Sequence, residues 1–168
     1  YAAAGRAGLH RAAHVAHDGP ATFITTCVEQ LGVDRIDHGY HVVDDPALTA
    51  RLRDDGIAFL CATPTPPLCG RPRDLDESPV RRMIDAGRTV VLNSDDPTML
   101  QTDLAREFDL VVNGWGHTPQ RAKRFVTDAI DAAWCDDTER RELHREIEPE
   151  LDRLLGLTAA AEHGITRP

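Results

Sequence analysis

Apolar positions along this chain switch repeatedly between short continuous runs and helical stripes. After Gly8, LHRAAHVA (Leu9 to Ala16) reads as a short strand. PATFITTCVEQLG then reads as a helix, with Pro20 near its first turn and Gly32 at its end. VDRIDHG (Val33 to Gly39) is a second strand, buried at Val33 and Ile36. DPALTARLRDDG is a helix capped by Asp45, opened by Pro46 and closed by Gly56. IAFLCAT (Ile57 to Thr63) is continuously apolar, the pattern of a strand covered on both faces. After the proline-rich TPTPPLCGRPRD, SPVRRMIDAG repeats the cap–proline–helix–glycine layout at Ser78, Pro79 and Gly87. RTVVLNSDDP places a fourth strand at Thr89 to Leu92, running into a polar turn. Beyond it, LQTDLAREFDLVVN, TPQRAKRFVTDAIDAAW and DTERRELHREIEPELDRLLG read as helices whose charges form solvated faces. The opening YAAAGRAGL reads as a helix end closed by Gly8. Because it starts at Tyr1 rather than Met, an N-terminal part is expected to precede it.

Strand–helix alternation with short connections predicts a parallel α/β sheet, either open and doubly wound or closed into a barrel. In both arrangements function collects at the C-terminal ends of the strands. The polar residues stand there. His14 and His17 end the first strand, Asp37 and His38 the second, and Asn93 to Asp96 the fourth, while the third supplies Thr63 and Thr65. Histidine or aspartate at three of four strand ends is more than a core requires.

Composition narrows the function class. The 168 residues carry 19 basic and 28 acidic side chains, a formal net charge of −9. That argues against nucleic acid and anionic membrane as partners, since both reward positive charge. No run approaches the ~18 apolar residues of a membrane-spanning helix, and no signal-peptide pattern opens the sequence. Cys27, Cys61, Cys69 and Cys135 are scattered without a C-x-x-C. Free thiols in a reducing cytoplasm are the expected state. The picture is one soluble, cytoplasmic domain acting on small molecules.

Imidazole and carboxylate together suit zinc or another divalent ion. In the Asp95–Asp96 pair, neighbouring side chains diverge, so one can hold a metal while the other faces substrate. A histidine beside a metal-bound water can help deprotonate it, which points to metal-assisted hydrolysis. Other histidines read differently. His10 sits early in its strand and is assigned a structural role, and no functional case exists for His41, His117, His144 or His163. For His14, His38 and Asp95, convergence of independent strand ends favours function.

RIDHG and LNSDDP, in that order after a strand ending in histidine, resemble the adenosine/adenine deaminase family of zinc barrel hydrolases. VVDDPALTARL, SPVRRMIDAG, TDLAREFDLV and AIDAAWCDDTERRELHREI look like the family's helical parts, so the resemblance runs from about Gly8 to Ile147. It implies the C-terminal portion of a (β/α)8 TIM barrel, about four βα units followed by C-terminal helices. The 168 residues then form one partial barrel domain, with βα units and site residues in 9–97 and mainly helix in 98–168. The implied reaction is hydrolytic removal of the 6-amino group of adenosine or adenine, with release of ammonia. RIDHG leans toward the adenine-acting branch and TDLAREF toward the adenosine-acting one. By position, His14 and Asp95 match zinc ligands. His38 matches the histidine that orients or deprotonates the zinc-bound water, and Asp96 the residue that hydrogen-bonds the purine N7.

Departures from the family pattern are equally plain. The H-x-H that supplies two zinc ligands occurs nowhere in this chain. Where the family reads H-A-G-E, this sequence reads His14-Val15-Ala16-His17. His17 thereby takes the place of the glutamate that protonates the purine ring, and Ala16 adds a methyl group beside the substrate. A neutral imidazole can still give or take a proton, so His17 is kept as a candidate catalytic residue. CATPTPPLCG replaces the family's C-P-x-S-N after the third strand. A second reading follows from these changes: a non-catalytic purine-binding or degenerate relative. Four strands alone leave two sheet edges and one face uncovered. Self-association, or pairing with an N-terminal half, is therefore expected.

Overall fold

A computed structural model of the chain describes residues 1–63 and 78–157. The proline-rich stretch with Thr65 and Cys69, and also His163, lies outside the described residues. In chain order the elements are α1 (Ala2–Arg6), β1 (Ala12–Val15), α2 (Ala21–Thr26), β2 (Arg35–His38) and α3 (Pro46–Asp54). They continue with β3 (Ala58–Cys61), α4 (Pro79–Asp85), β4 (Val90–Leu92), α5 (Pro97–Leu100), α6 (Leu104–Asp109), α7 (Pro119–Asp131) and α8 (Asp137–Leu154). The strands form one parallel sheet in the order β1-β2-β3-β4. Sequential parallel neighbours with helical returns are what the alternation of patterns predicts.

Register explains which face is the core. Ala13, Ile36, Phe59 and Val90 lie side by side across the sheet, and all four are buried. They pack in one cluster with Ile24, Leu52, Met83 and Phe125 from the helices. The adjacent row, His14, Asp37, Leu60 and Val91, belongs to the opposite face and is more accessible. Side-chain alternation along a strand thus separates a helix-covered layer from a chemically equipped one. Arg88, just before β4, is buried and donates to the carbonyls of Thr49 and Ile57, both at 2.9 Å. Burial pushes its pKa down to about 10.

Two helices depart from their sequence patterns. The stretch from Pro20 to Gly32 is α-helical only over α2, and Cys27–Leu31 forms a wider π-type turn closed by Gly32 at φ +61°. LQTDLAREFDLVVN does not form one helix. Gln101 turns left-handed at φ +51°, and Asp103 starts α6 afresh by accepting the Arg106 N–H. β1 is also shorter than its pattern, starting at Ala12 rather than Leu9. α8 opens on a capping box between Asp136 and Glu139 and buries no residue fully. It is joined to α7 by Lys123 with Glu148 and Asp152, and by His144 with Asp131. Among the described residues no helix is long and apolar enough to cross a membrane.

Candidate functional site

The C-terminal ends of β1, β2 and β4 surround an open cleft of about 330 Å³ lined by His14, Asp37, His38, Leu60, Asn93, Ser94 and Asp95. His14, Asp37 and Leu60 reach it because they share the accessible row of the sheet. His38 requires another explanation. Strict alternation would turn it toward the helices, as for Ile36, yet it lines the same cleft as its neighbour Asp37.

The backbone supplies that explanation. Ala16, His38 and Asp95 have φ of +53°, +67° and +53°. His38 ends β2, while Ala16 and Asp95 follow β1 and β4; the left-handed region costs each, as a residue with a β-carbon, roughly 1–2 kcal/mol. Such turns persist where surrounding contacts hold them, and they re-aim side chains at functional sites. At His38 the support is visible. The Gly39 N–H donates to Val15 O at 2.9 Å, and the Cys61 thiol donates to His38 O at 3.4 Å. At Asp95 the backbone N–H donates to Asn93 Oδ1 at 2.7 Å, closing the polar turn after β4.

Three rings crowd around the turn. The His14 and His38 centroids lie 4.3 Å apart, His17 and His38 5.1 Å apart. His38 is almost fully buried, with Nε2 4.0 Å from Asp95 Oδ2, too far for a direct hydrogen bond. Its Nδ1 lies 3.1 Å from the Tyr40 hydroxyl, which donates to Ala62 O at 3.0 Å. The geometry therefore brings His14, His38 and Asp95 into one cleft. His17 stands beside it: its Nδ1 meets Asp18 Oδ2 at 2.8 Å, and it is not a lining residue. Ala16 is buried at the turn. Asp96 occupies the N-cap position of α5 and is exposed, outside the lining.

Donor chemistry at His14 and Asp95 suits zinc. Among the described residues, however, no group of three or more His, Cys, Asp or Glu is placed to hold a metal ion. The described residues thus present part of a donor set.

Two residues of the site region escaped the strand-end logic. Tyr40 is one, lying two residues past the end of β2. Glu107 is the other. Fully buried, its carboxylate accepts from the Thr63 N–H at 2.6 Å, from the Thr63 hydroxyl, and from the Thr102 hydroxyl at 2.8 Å. It ties the end of β3 to α6 and to the turn before it. The signal was present in the pattern Leu104, Glu107, Phe108, Val111, where a carboxylate occupies the apolar stripe of a helix.

A family model described as adenosine deaminase matches residues 1–150. The chain belongs to the adenosine deaminase family. It is 35% identical over 144 residues to an adenine deaminase of Streptomyces coelicolor, covering 83% of this chain and 41% of that protein. An adenine deaminase of Gibberella zeae is 30% identical over 160 residues, 95% of this chain and 45% of its own length. Among solved structures, an amidohydrolase from Burkholderia ambifaria with bound zinc superposes with a TM-score of 0.82 at 32% identity, covering 91% of this chain and 43% of that one. This adenosine deaminase relative therefore spans less than half the length of the proteins it matches. Its four parallel strands and their helices correspond to part of the amidohydrolase TIM barrel.

Proposed function

We propose that this chain is the C-terminal part of a zinc-dependent deaminase that hydrolytically removes the 6-amino group of adenine or adenosine and releases ammonia. The observation that carries the reading is the convergence of His14, His38 and Asp95 on one cleft at the C-terminal ends of a parallel sheet. His14 and Asp95 would hold the metal, with the remaining donors coming from outside the described residues. The chemistry zinc supplies when bound is a lowered pKa for water, which makes a nucleophile near neutral pH. His38 orients that nucleophile from the Asp95 side. Asp96 and Ala16 face the purine in the closed site, and His17, paired with Asp18, stands in for the family's ring-protonating acid. Edge strands β1 and β4 are covered by an N-terminal half-barrel or by a second copy.

Elemental analysis of the purified 168-residue chain tests the metal assignment, followed by ammonia release from adenine and from adenosine. Near one zinc per chain with ammonia release supports the reading. A barrel completed with an N-terminal half, loaded with zinc and releasing no ammonia from any purine, refutes it. Substitution of the family glutamate by His17 keeps a second reading open, a purine binder without turnover. Purine binding to the completed barrel without ammonia release would identify it.

A further inference from the structure

His38 is held at one end of its ring by Tyr40 and faces Asp95 with the other. The Tyr40 hydroxyl lies 3.0 Å from Ala62 O, and a carbonyl can only accept, so the phenolic proton points to Ala62. Tyr40 Oη therefore meets His38 Nδ1, at 3.1 Å, as an acceptor. The hydrogen bond between them is donated by His38 Nδ1–H. In a neutral imidazole the other nitrogen then carries the lone pair. That nitrogen, Nε2, lies 4.0 Å from Asp95 Oδ2. Two acceptors at this separation do not bond to each other. They are spaced to share one hydrogen-bearing group between them.

We propose that Tyr40 is a positioning residue: through its hydroxyl it fixes His38 as the Nδ1–H tautomer, so that Nε2 and Asp95 Oδ2 together accept hydrogens from one bridging donor in the cleft. This deepens the deaminase reading by naming what makes His38 an acceptor toward a water nucleophile. It rests on that reading only for the identity of the donor. Both Tyr40 and His38 are almost fully buried, so solvent does not compete for the arrangement. Tyr40 also belongs to the hydrophobic cluster under the sheet, so its ring is anchored by packing and its hydroxyl by Ala62.

The test reads the tautomer directly, in the chain itself and without activity. In ¹⁵N-labelled protein, at a pH where His38 is neutral, long-range ¹H–¹⁵N correlation distinguishes a protonated from an unprotonated ring nitrogen. Magic-angle spinning gives the same information if the chain self-associates. The expected result is a protonated Nδ1 and an unprotonated Nε2 at His38, with Tyr40→Phe shifting the proton toward Nε2. A wild-type His38 protonated at Nε2 overturns the proposal, and so does a folded Tyr40→Phe variant with an unchanged His38 pattern. If Tyr40→Phe does not fold, the wild-type pattern decides alone. Failure to bind zinc or release ammonia would count against the deaminase reading and leave this measurement intact.

Discussion

Removing the Glu107 carboxylate should loosen the end of β3. Glu107 has no exposed surface and accepts three hydrogen bonds from neutral donors. In Glu107→Ala the Thr63 N–H loses its acceptor while buried, which costs about 1–3 kcal/mol, and two hydroxyls must find new partners. Loss of one buried methylene adds roughly 0.8 kcal/mol. Relief of the buried carboxylate offsets part of this, leaving a destabilisation of about 2 kcal/mol. Glu107→Gln behaves differently. Its amide oxygen can still serve Thr63, and its NH₂ can donate to the Thr102 hydroxyl, so the loss is about 1 kcal/mol. The assay is urea denaturation of both variants, read as midpoint shifts at constant slope. Equal losses in the two variants, or a Glu107→Ala loss under about 1 kcal/mol, would refute the view that these hydrogen bonds fix the end of β3.

Three further outcomes follow from particular residues. The hydrogen bond to Asp131, and secondarily that to Glu148, raises the His144 pKa. The imidazolium is therefore favoured in the folded chain. Its contribution is complete below the ordinary histidine pKa of about 6.5 and is lost as pH rises through the raised value. Melting temperatures measured against pH should show this decline in the wild type and a flatter profile in His144→Gln; parallel profiles would refute it. Gly39→Ala should cost more than about 2 kcal/mol, from a β-carbon at φ +63° placed 2.6 Å from the Phe59 ring and 2.9 Å from Ile36 Cγ2. A denaturation midpoint near wild type would contradict that geometry. Ala16→Gly should be nearly neutral, since relief of a left-handed alanine balances lost backbone restriction and a lost buried methyl. Ala13→Gly in β1 has no strain to relieve and should cost over about 1 kcal/mol. Matching denaturation curves for the two glycine variants would rule the argument out.

Strand ends were the most legible part of the site. Short apolar runs closed by His14, by Asp37-His38 and by Asn93-Ser94-Asp95 place those residues at one edge of any parallel sheet, and the cleft contains them all. Local sequence does not encode the left-handed turns at Ala16, His38 and Asp95, because none of the three is glycine. Those conformations are imposed by contacts from other strands, such as Val15 O on the Gly39 N–H. The same strand-end reading also assigns His17 and Asp96 to this edge, yet neither lines the cleft. Asp96 follows the turn onto the end of α5, and His17 turns to its neighbour Asp18. Gln101 broke a helix whose apolar spacing ran straight through it. Glu107 was visible only as an acid in an apolar stripe, and two of its three hydrogen bonds come from Thr63, which sequence spacing does not relate to it.

α8 has consequences for the order in which the chain opens. An eighteen-residue helix with no fully buried side chain, held to α7 by Lys123, His144 and their carboxylates, draws little on the apolar cluster that secures the sheet. Its amides should exchange with solvent through a separate, lower-energy opening, while β2 and β3 exchange only when the whole unit unfolds. Because exposed ion pairs weaken with ionic strength, added salt should lower the protection of α8 and leave that of the central strands unchanged.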